Sequence, residues 1–237
     1  MLDRKPRPPP VPEAPRGEWL EDRFAGLPAR VLLPADYRPD RFRYPLVVFL
    51  HGSRERGDDN RAQLKLGVEG FNSPPVRAHF PAIVVAPQAP ASATWGGVWY
   101  GGSNPTQQAV VALTRELAQR SSVDAQRLYL VGVSMGAIGG WEILTREPAL
   151  YAAAVMVCGD LDPAWAPALA PQAIWSFHGA DDSVVTNTAD RALAVEVHRL
   201  GGVAKYTELP SVGHDAWTPV FNDPAMYSWL FAQAKPG

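Results

Sequence analysis

Cysteine is almost absent from this chain. Cys158 stands alone among 237 residues, which excludes an intrachain disulfide and a cysteine-based zinc cluster. Long apolar runs are missing too. The longest, residues 150–158, has nine members, about half of the ~18 that a membrane span requires. No apolar stretch of the secretory kind occurs in the first thirty residues. The expected location is therefore the cytoplasm by default, or outside the cell if a leader was removed before Met1. Charge of one sign is scarce: 22 basic against 24 acidic residues leave a net −2. That balance speaks against nucleic acid or an anionic membrane as partner. A hydrophobic share of 46% against 19% charged is that of a folded globular protein rather than a disordered one. Also missing are H-E-x-x-H, a phosphate-binding Walker loop and a dinucleotide G-x-G-x-x-G after a first strand. Asp58-Asp59-Asn60 lacks the spacing of a calcium loop. No metal and no cofactor is expected.

Proline and tryptophan, by contrast, are abundant, at 24 and 8 residues. Six of the prolines fall between Pro6 and Pro15. A stretch of that composition reads as an extended, solvated linker, the other reading being a ligand for an aromatic-groove module. The division expected is a flexible segment over 1–16 and one domain over 17–237.

Within that domain, continuous apolar runs at 45–50, 82–86, 127–133, 153–157 and 173–177 have the β-branched content of strands covered on both faces. A short early strand is expected at 30–34, and an outer, more alternating one at 203–209. Helices fill the gaps. Asn104, Pro105 and Gln107 form a helix start, after which Val110, Leu113 and Leu117 share a face. A second helix begins at Asn187, with Ala189, Leu193, Val197 and Leu200 inward and Gly201-Gly202 ending it. A last one is expected from Asp223 to Ala234. Buried strands alternating with helices predict an α/β fold, a mostly parallel sheet with helices on both faces.

The chemistry begins at Gly132-Val133-Ser134-Met135-Gly136, a G-x-S-x-G placed where a strand turns into a helix. Small residues at 132 and 136 let that turn tighten. The turn lifts the Ser134 hydroxyl to the sheet edge and sets the Met135 N–H beside it, near a helix N-terminus. A serine hydroxyl needs a base, and the base needs an orienting group. Of five histidines, His198 sits off the apolar face of its helix and reads as solvated, and His79 lies in a proline-flanked loop. His51 and His178 each precede a glycine after a buried strand, which suits a backbone-shaping role. His214, in a loop after the last strand, is downstream of the serine and of the acid candidates, the order Ser…Asp…His that goes with such a turn. For the acid, the loop after 173–177 offers Asp181 and Asp182, with Asp160 and Asp162 as weaker alternatives one strand earlier.

Here the sequence resembles the α/β-hydrolases. The acid-loop pattern H-G-x-x-D-x-x-V of that superfamily registers with His178, Gly179, Asp182 and Val185. The stretch from His51 to Asn60 is similar to the H-G-S-G-E-R-G loop of small esterases of the phospholipase/carboxylesterase and feruloyl-esterase-like group, many of them described as peptidases. The resemblance spans about residues 20–235. It implies a catalytic triad of Ser134, Asp182 and His214, and an oxyanion hole in which the Ser53 N–H joins that of Met135. Arg54 stands where relatives commonly carry glycine. It is a candidate for meeting a substrate carboxylate, against a local ion pair with Glu55, Asp58 or Asp59.

Trp95, Trp99 and Tyr100 lie in the loop after 82–86, at the end of the sheet where ligands bind. Trp95 and Trp99 are candidate pocket walls, against a role in packing the loop down. Trp217, three residues past His214, is a candidate to flank the cleft. The connection 158–172 is short and rich in proline and tryptophan, so no large lid is expected. The reading that follows is a cofactor-free serine carboxylesterase for short-chain or aromatic, feruloyl-like esters, small or polymer-borne. A serine peptidase of the same fold is the alternative, and a non-catalytic binding protein a remoter one.

Overall fold

The computed structural model describes residues 15–235; the proline-dense segment lies outside them except for residues 15 and 16. Eight strands build a single sheet: β1 (Trp19–Phe24), β2 (Leu27–Leu32), β3 (Tyr44–Leu50), β4 (Ile83–Pro87), β5 (Val123–Val133), β6 (Ala153–Val157), β7 (Ala173–Gly179) and β8 (Lys205–Leu209). Their spatial order is β1-β2-β4-β3-β5-β6-β7-β8. β1, β2 and β4 pair antiparallel, and every pairing from β4 onward is parallel.

Why the middle of the chain makes this sheet is visible in β3, where all seven residues are buried. Leu46, Val48 and Leu50 enter the core on one face, and Val47 and Phe49 enter it on the other. β5 and β6 alternate in the same way, with Leu128, Leu130, Ala154 and Met156 opposite Tyr129, Val131, Val133, Val155 and Val157. Both faces must then be covered. The first is covered by α2 (Pro105–Ala118), α3 (Met135–Arg146), α4 (Ala166–Leu169) and α5 (Thr188–Arg199). The second is covered by α1 (Pro74–His79), α6 (Trp217–Asn222), α7 (Pro224–Phe231) and the 3₁₀ segment Val68–Asn72. Among the described residues no helix is long and apolar enough to cross a membrane.

Local signals hold in detail at α2. The Asn104 side chain accepts from the Gln107 N–H at 2.9 Å, Pro105 opens the helix, and Val110, Leu113 and Leu117 are buried. Elsewhere the structure corrects the sequence reading. The early strand is half of a hairpin whose other strand, β1, exposes Leu20, Glu21, Asp22 and Arg23 between two buried ends. Ala25 and Gly26, both at positive φ, make its turn. Leu200 is 41% exposed, because α5 stops at Arg199 and Gly201 turns the chain away in a left-handed conformation. The last helix starts at Asp223 as expected, its carboxylate accepting from the Ala225 N–H, but α7 ends at Phe231, and a short helix that the sequence reading did not place, α6, precedes it. His79 ends α1 rather than lying in a loop.

The connection from β6 to β7 contains a 3₁₀ turn, Pro163–Trp165, and the single helical turn of α4. It leaves no material for a long lid. At the other side of β6, the β5–α3 turn is tight. Ser134 has φ 53° and ψ −117°, a conformation costly for a residue with a side chain. A Cβ on Gly136 would stand 2.0 Å from the Leu50 carbonyl oxygen, and one on Gly132 would stand 2.4 Å from that of Gly136. These are backbone neighbours and cannot rotate away. Gly136→Ala is therefore expected to lose at least about 1–3 kcal/mol, the usual cost of overpacking. A denaturant midpoint equal to that of the parent would contradict this account of the turn.

Candidate active site

The three residues expected to form a triad come from three separate loops at the C-terminal edge of the sheet. Ser134 ends β5, Asp182 follows β7 and His214 follows β8. The turn presents the Ser134 hydroxyl 2.9 Å from Nε2 of His214, and Nδ1 of His214 lies 2.7 Å from Oδ2 of Asp182. The serine is held from behind by its own backbone, with its N–H on the Val157 carbonyl and its carbonyl receiving the Ile138 N–H. Oδ1 of Asp182 accepts from the Val184 and Val185 N–H groups at 2.9 and 3.0 Å. Burial alone would push the Asp182 carboxyl up. The bond from His214 and the two amide bonds outweigh it and hold Asp182 below the ordinary carboxylate value. A carboxylate at Nδ1 fixes the proton there and leaves Nε2 free to accept from the serine.

Asp181 is exposed, and its backbone N–H goes to Val212. The two weaker acid candidates are engaged elsewhere: Asp160 accepts from the Trp99 indole at 2.6 Å, and Asp162 caps Ala164.

Opposite the serine lies the loop after β3. A Cβ on Gly52 would come within 3.7 Å of the Ser134 Cβ, so the start of this loop lies against Ser134. Ser53 begins a 3₁₀ turn, Ser53–Glu55, and Met135 begins α3. Neither N–H has a backbone acceptor among the described residues, as expected of first positions in a helix.

His51 shapes this loop. Its Nε2 accepts from the Ala89 N–H at 3.0 Å, so the ring proton sits on Nδ1, bonded to the Gly52 carbonyl at 2.6 Å. Burial lowers its pKa to about 4, so the ring remains neutral while doing this. Further along, Gln88 donates to the Glu55 carbonyl and to Asp59 and accepts from the Asn60 N–H, which stitches the loop to the end of β4.

Of the candidate walls, Trp95 is a correction. Its side chain is fully buried against Gly139, and its indole donates to the His51 carbonyl at 3.0 Å. It is a strut beneath the loop and meets no substrate. Trp99 and Tyr100 are exposed, in a 3₁₀ turn, Val98–Tyr100, bounded by glycines at positive φ. Trp217 lies edge-on to His214, with ring centroids 5.4 Å apart. Arg54 is exposed and forms no ion pair among the described residues, so the expected local pairing with Glu55, Asp58 or Asp59 is not made.

Cys158, His178 and Asp182 present ligand-type atoms within 4.8 Å of one another. Each is already engaged. The thiol, pushed up to about 12 by burial and by Asp182, lies 3.3 Å from the His214 carbonyl, and Nε2 of His178 lies 2.9 Å from that of Val185. That donor set does not fit a metal. Two groups near the site went unrecognised in the sequence. Asp190 lies buried behind His178, and Glu142 anchors the Trp99 loop through the Gly97 N–H at 2.7 Å.

No family profile matches the chain, and no curated protein matches it. Among solved structures, a thermostable esterase superposes with a TM-score of 0.84 at 33% identity, over 92% of this chain. The chain spans 63% of that protein, less than two thirds of its length. A ferulic acid esterase from Anaeromyces mucronatus aligns over 98% of this chain and 96% of its own, at 17% identity and a TM-score of 0.60. The dipeptidyl peptidase 4 of Porphyromonas gingivalis aligns over 92% of this chain and 35% of its own, at 13% identity and a TM-score of 0.70. At such identities the last two speak to the fold alone. The fold is that of the α/β-hydrolases. Esterases and feruloyl esterases are among the structures that share it, and so are peptidases.

One group in the site is held against its chemistry. Glu55 is buried, its Oε2 has no hydrogen-bond partner, and it lies 3.0 Å from where a Gly52 Cβ would stand. Burial raises its pKa above the ordinary carboxylate value. A carboxyl whose folded pKa is raised favours the native state at low pH. That advantage is lost as pH rises through the folded pKa, because the unfolded chain ionises freely and the native one does not. Glu55→Gln is expected to remove this loss. The melting temperature of the variant relative to the parent should rise between pH 4 and pH 8, and a difference constant across that range would exclude the effect.

Proposed function

We propose that the protein is a serine esterase that cleaves carboxylic esters through an acyl-enzyme. One observation carries this reading: the unbroken hydrogen-bonded run from Ser134 through His214 to Asp182, set at a strained turn beside two unengaged backbone N–H groups. In the first half-reaction the Ser134 oxygen bonds to the ester carbonyl carbon while its proton passes to Nε2 of His214. The tetrahedral oxyanion accepts from the Ser53 and Met135 N–H groups. Collapse expels the alcohol, protonated by His214, and leaves the acyl group on Ser134. Water then repeats the sequence, giving its proton to His214 and releasing the acid. Asp182 stays ionised throughout, keeping the tautomer and balancing the imidazolium.

Substrate choice follows from the walls. The short β6–β7 connection leaves the serine open, and the exposed Trp99 and Tyr100 together with the half-buried Trp217 offer flat apolar surface. Short-chain and aromatic esters suit such a cleft, including esters borne on a polymer. The unpaired Arg54 is the cation available to a substrate carboxylate.

Three measurements test the reading. A fluorophosphonate should label the parent stoichiometrically and leave Ser134→Ala unlabelled, while that variant keeps its melting temperature and loses on the order of 10⁶ in kcat. An unlabelled but folded parent would mean a binding protein. A panel of matched esters and amides should show turnover of the esters, and preferential amide cleavage would instead assign a peptidase. Asparagine at the acid favours the wrong imidazole tautomer, so Asp182→Asn should cost roughly 10⁴ in kcat and Asp181→Asn little. The reverse ranking would move the acid to Asp181.

A further inference from the structure

Behind the acid lies a second histidine–carboxylate pair. His178, at the end of β7, is fully buried. Its Nδ1 lies 3.1 Å from Oδ2 of Asp190, in the first turn of α5. Its Nε2 lies 2.9 Å from the Val185 carbonyl and 3.3 Å from Oδ2 of Asp182, the same oxygen that meets His214 at 2.7 Å. The groups form a continuous line: Asp190, His178, Asp182, His214, Ser134.

Counting protons along this line is constrained by the acceptors. A carbonyl oxygen only accepts, so Nε2 of His178 carries a hydrogen. Nδ1 faces a carboxylate, so one more proton lies between Nδ1 and Asp190. The surroundings decide which end holds it. Asp182 lies on the near side, Asp160 follows β6, and Glu208 is the β8 residue paired with His178 in register. The other polar neighbours are the Ser176 hydroxyl beside Asp190, the Cys158 thiol, neutral with a pKa near 12, the Tyr206 phenol, and Arg191, which is bonded to Glu208. Anionic carboxylates thus dominate the ring's environment and favour the imidazolium. Burial would lower His178, but its contacts with Asp190, Val185 and Asp182 outweigh that and raise it above the ordinary histidine value. Burial also raises Asp190, whose Oδ1 has no hydrogen-bond partner, although its bond to His178 opposes that rise.

We propose that Asp190 and His178 are positioning residues for the Ser134 relay, Asp190 holding His178 as a cation whose ring charge stands beside the acid oxygen of Asp182, with Nε2 at 3.3 Å from it. The inference rests on the esterase reading. A cation there lowers the basicity of Asp182 and, through it, of His214, which keeps the base unprotonated to lower pH. The legs of 3.3 and 2.7 Å put the facing nitrogens of the two rings at most about 6 Å apart. At an effective dielectric constant of about 20, a unit charge at that distance, partly offset by Asp190 beyond it, amounts to a shift on the order of one pH unit.

The test is the pH profile of kcat/KM for ester hydrolysis in Asp190→Asn, an isosteric change that can still hydrogen-bond to Nδ1 as a neutral donor. The acid limb should move to higher pH by about one unit, with the plateau within a few-fold of the parent. An unshifted limb, or one moved to lower pH, overturns the proposal. A second measurement uses the parent alone, so that misfolding of the variant cannot decide the matter. With ¹⁵N-labelled histidine, His178 should show both ring nitrogens protonated at pH 7, and a neutral Nε2–H ring would overturn the assignment. Fluorophosphonate labelling of both proteins separates the two claims. Labelling without a shift refutes this pair's role only, whereas a parent that neither labels nor turns over esters refutes the esterase reading itself.

Discussion

The approach of the first turn of α3 to the end of β3 is the contact on which the rest of the site depends. Gly136 lies so close to the Leu50 carbonyl that any side chain there would overlap it. That closeness forces the chain through the strained angles at Ser134, and those angles expose the hydroxyl and leave the Met135 N–H without a backbone partner. It also brings the start of the loop after β3, at Gly52, against the serine. One backbone contact therefore sets the Ser134 hydroxyl and the Ser53 and Met135 N–H groups at the same edge of the sheet. The strain is maintained because β3 and β5 are buried on both faces and cannot relax outward.

Around this contact the polar groups are arranged in two tiers. The upper tier is the hydrogen-bonded run of Ser134, His214 and Asp182. The lower tier holds loops in place with groups whose charge is suppressed or matched. His51 stays neutral to bridge Gly52 and Ala89, Trp95 ties the His51 carbonyl to the loop after β4, and Gln88 ties three residues of the loop after β3, Glu55, Asp59 and Asn60, to the end of β4. Burial governs both tiers but with opposite outcome. Asp182 overcomes it with three donors, whereas Glu55, with no partner for one oxygen, yields to it.

Much of this was legible in the sequence, for a physical reason. Strands buried on both faces write themselves as unbroken apolar runs, and β3 through β7 were all placed within a few residues. The strand β1 was not, because an edge strand carries Glu21, Asp22 and Arg23 outward and reads as loop. The Ser134 turn was legible through its two glycines, since only a close backbone approach demands them. The register of Asp182 over Asp181 came from the resemblance alone; adjacent carboxylates are indistinguishable until the loop has a shape. Trp95 shows the converse limit. Its place in a loop suggested a wall, yet which way an aromatic ring turns depends on Gly139 and His51, which lie 44 residues away or the same distance beyond. Asp190 was invisible for another reason: an acidic residue in the first turn of a helix normally needs no explanation beyond the helix dipole.

The parallel pairing of Leu50 with Gly132 has a consequence for how the molecule assembles. Those two residues are separated by more than eighty positions, and the strand between them in sequence, β4, pairs on the other side of β3. Loops of that length close slowly compared with local contacts. The serine turn cannot exist before this closure, because the carbonyl that shapes it belongs to β3. A chain in which β3 and β5 have not yet met thus lacks the Ser134 turn, whatever helices and local strand pairs it has formed, and the turn's geometry depends on a long-range pairing rather than on its own five residues.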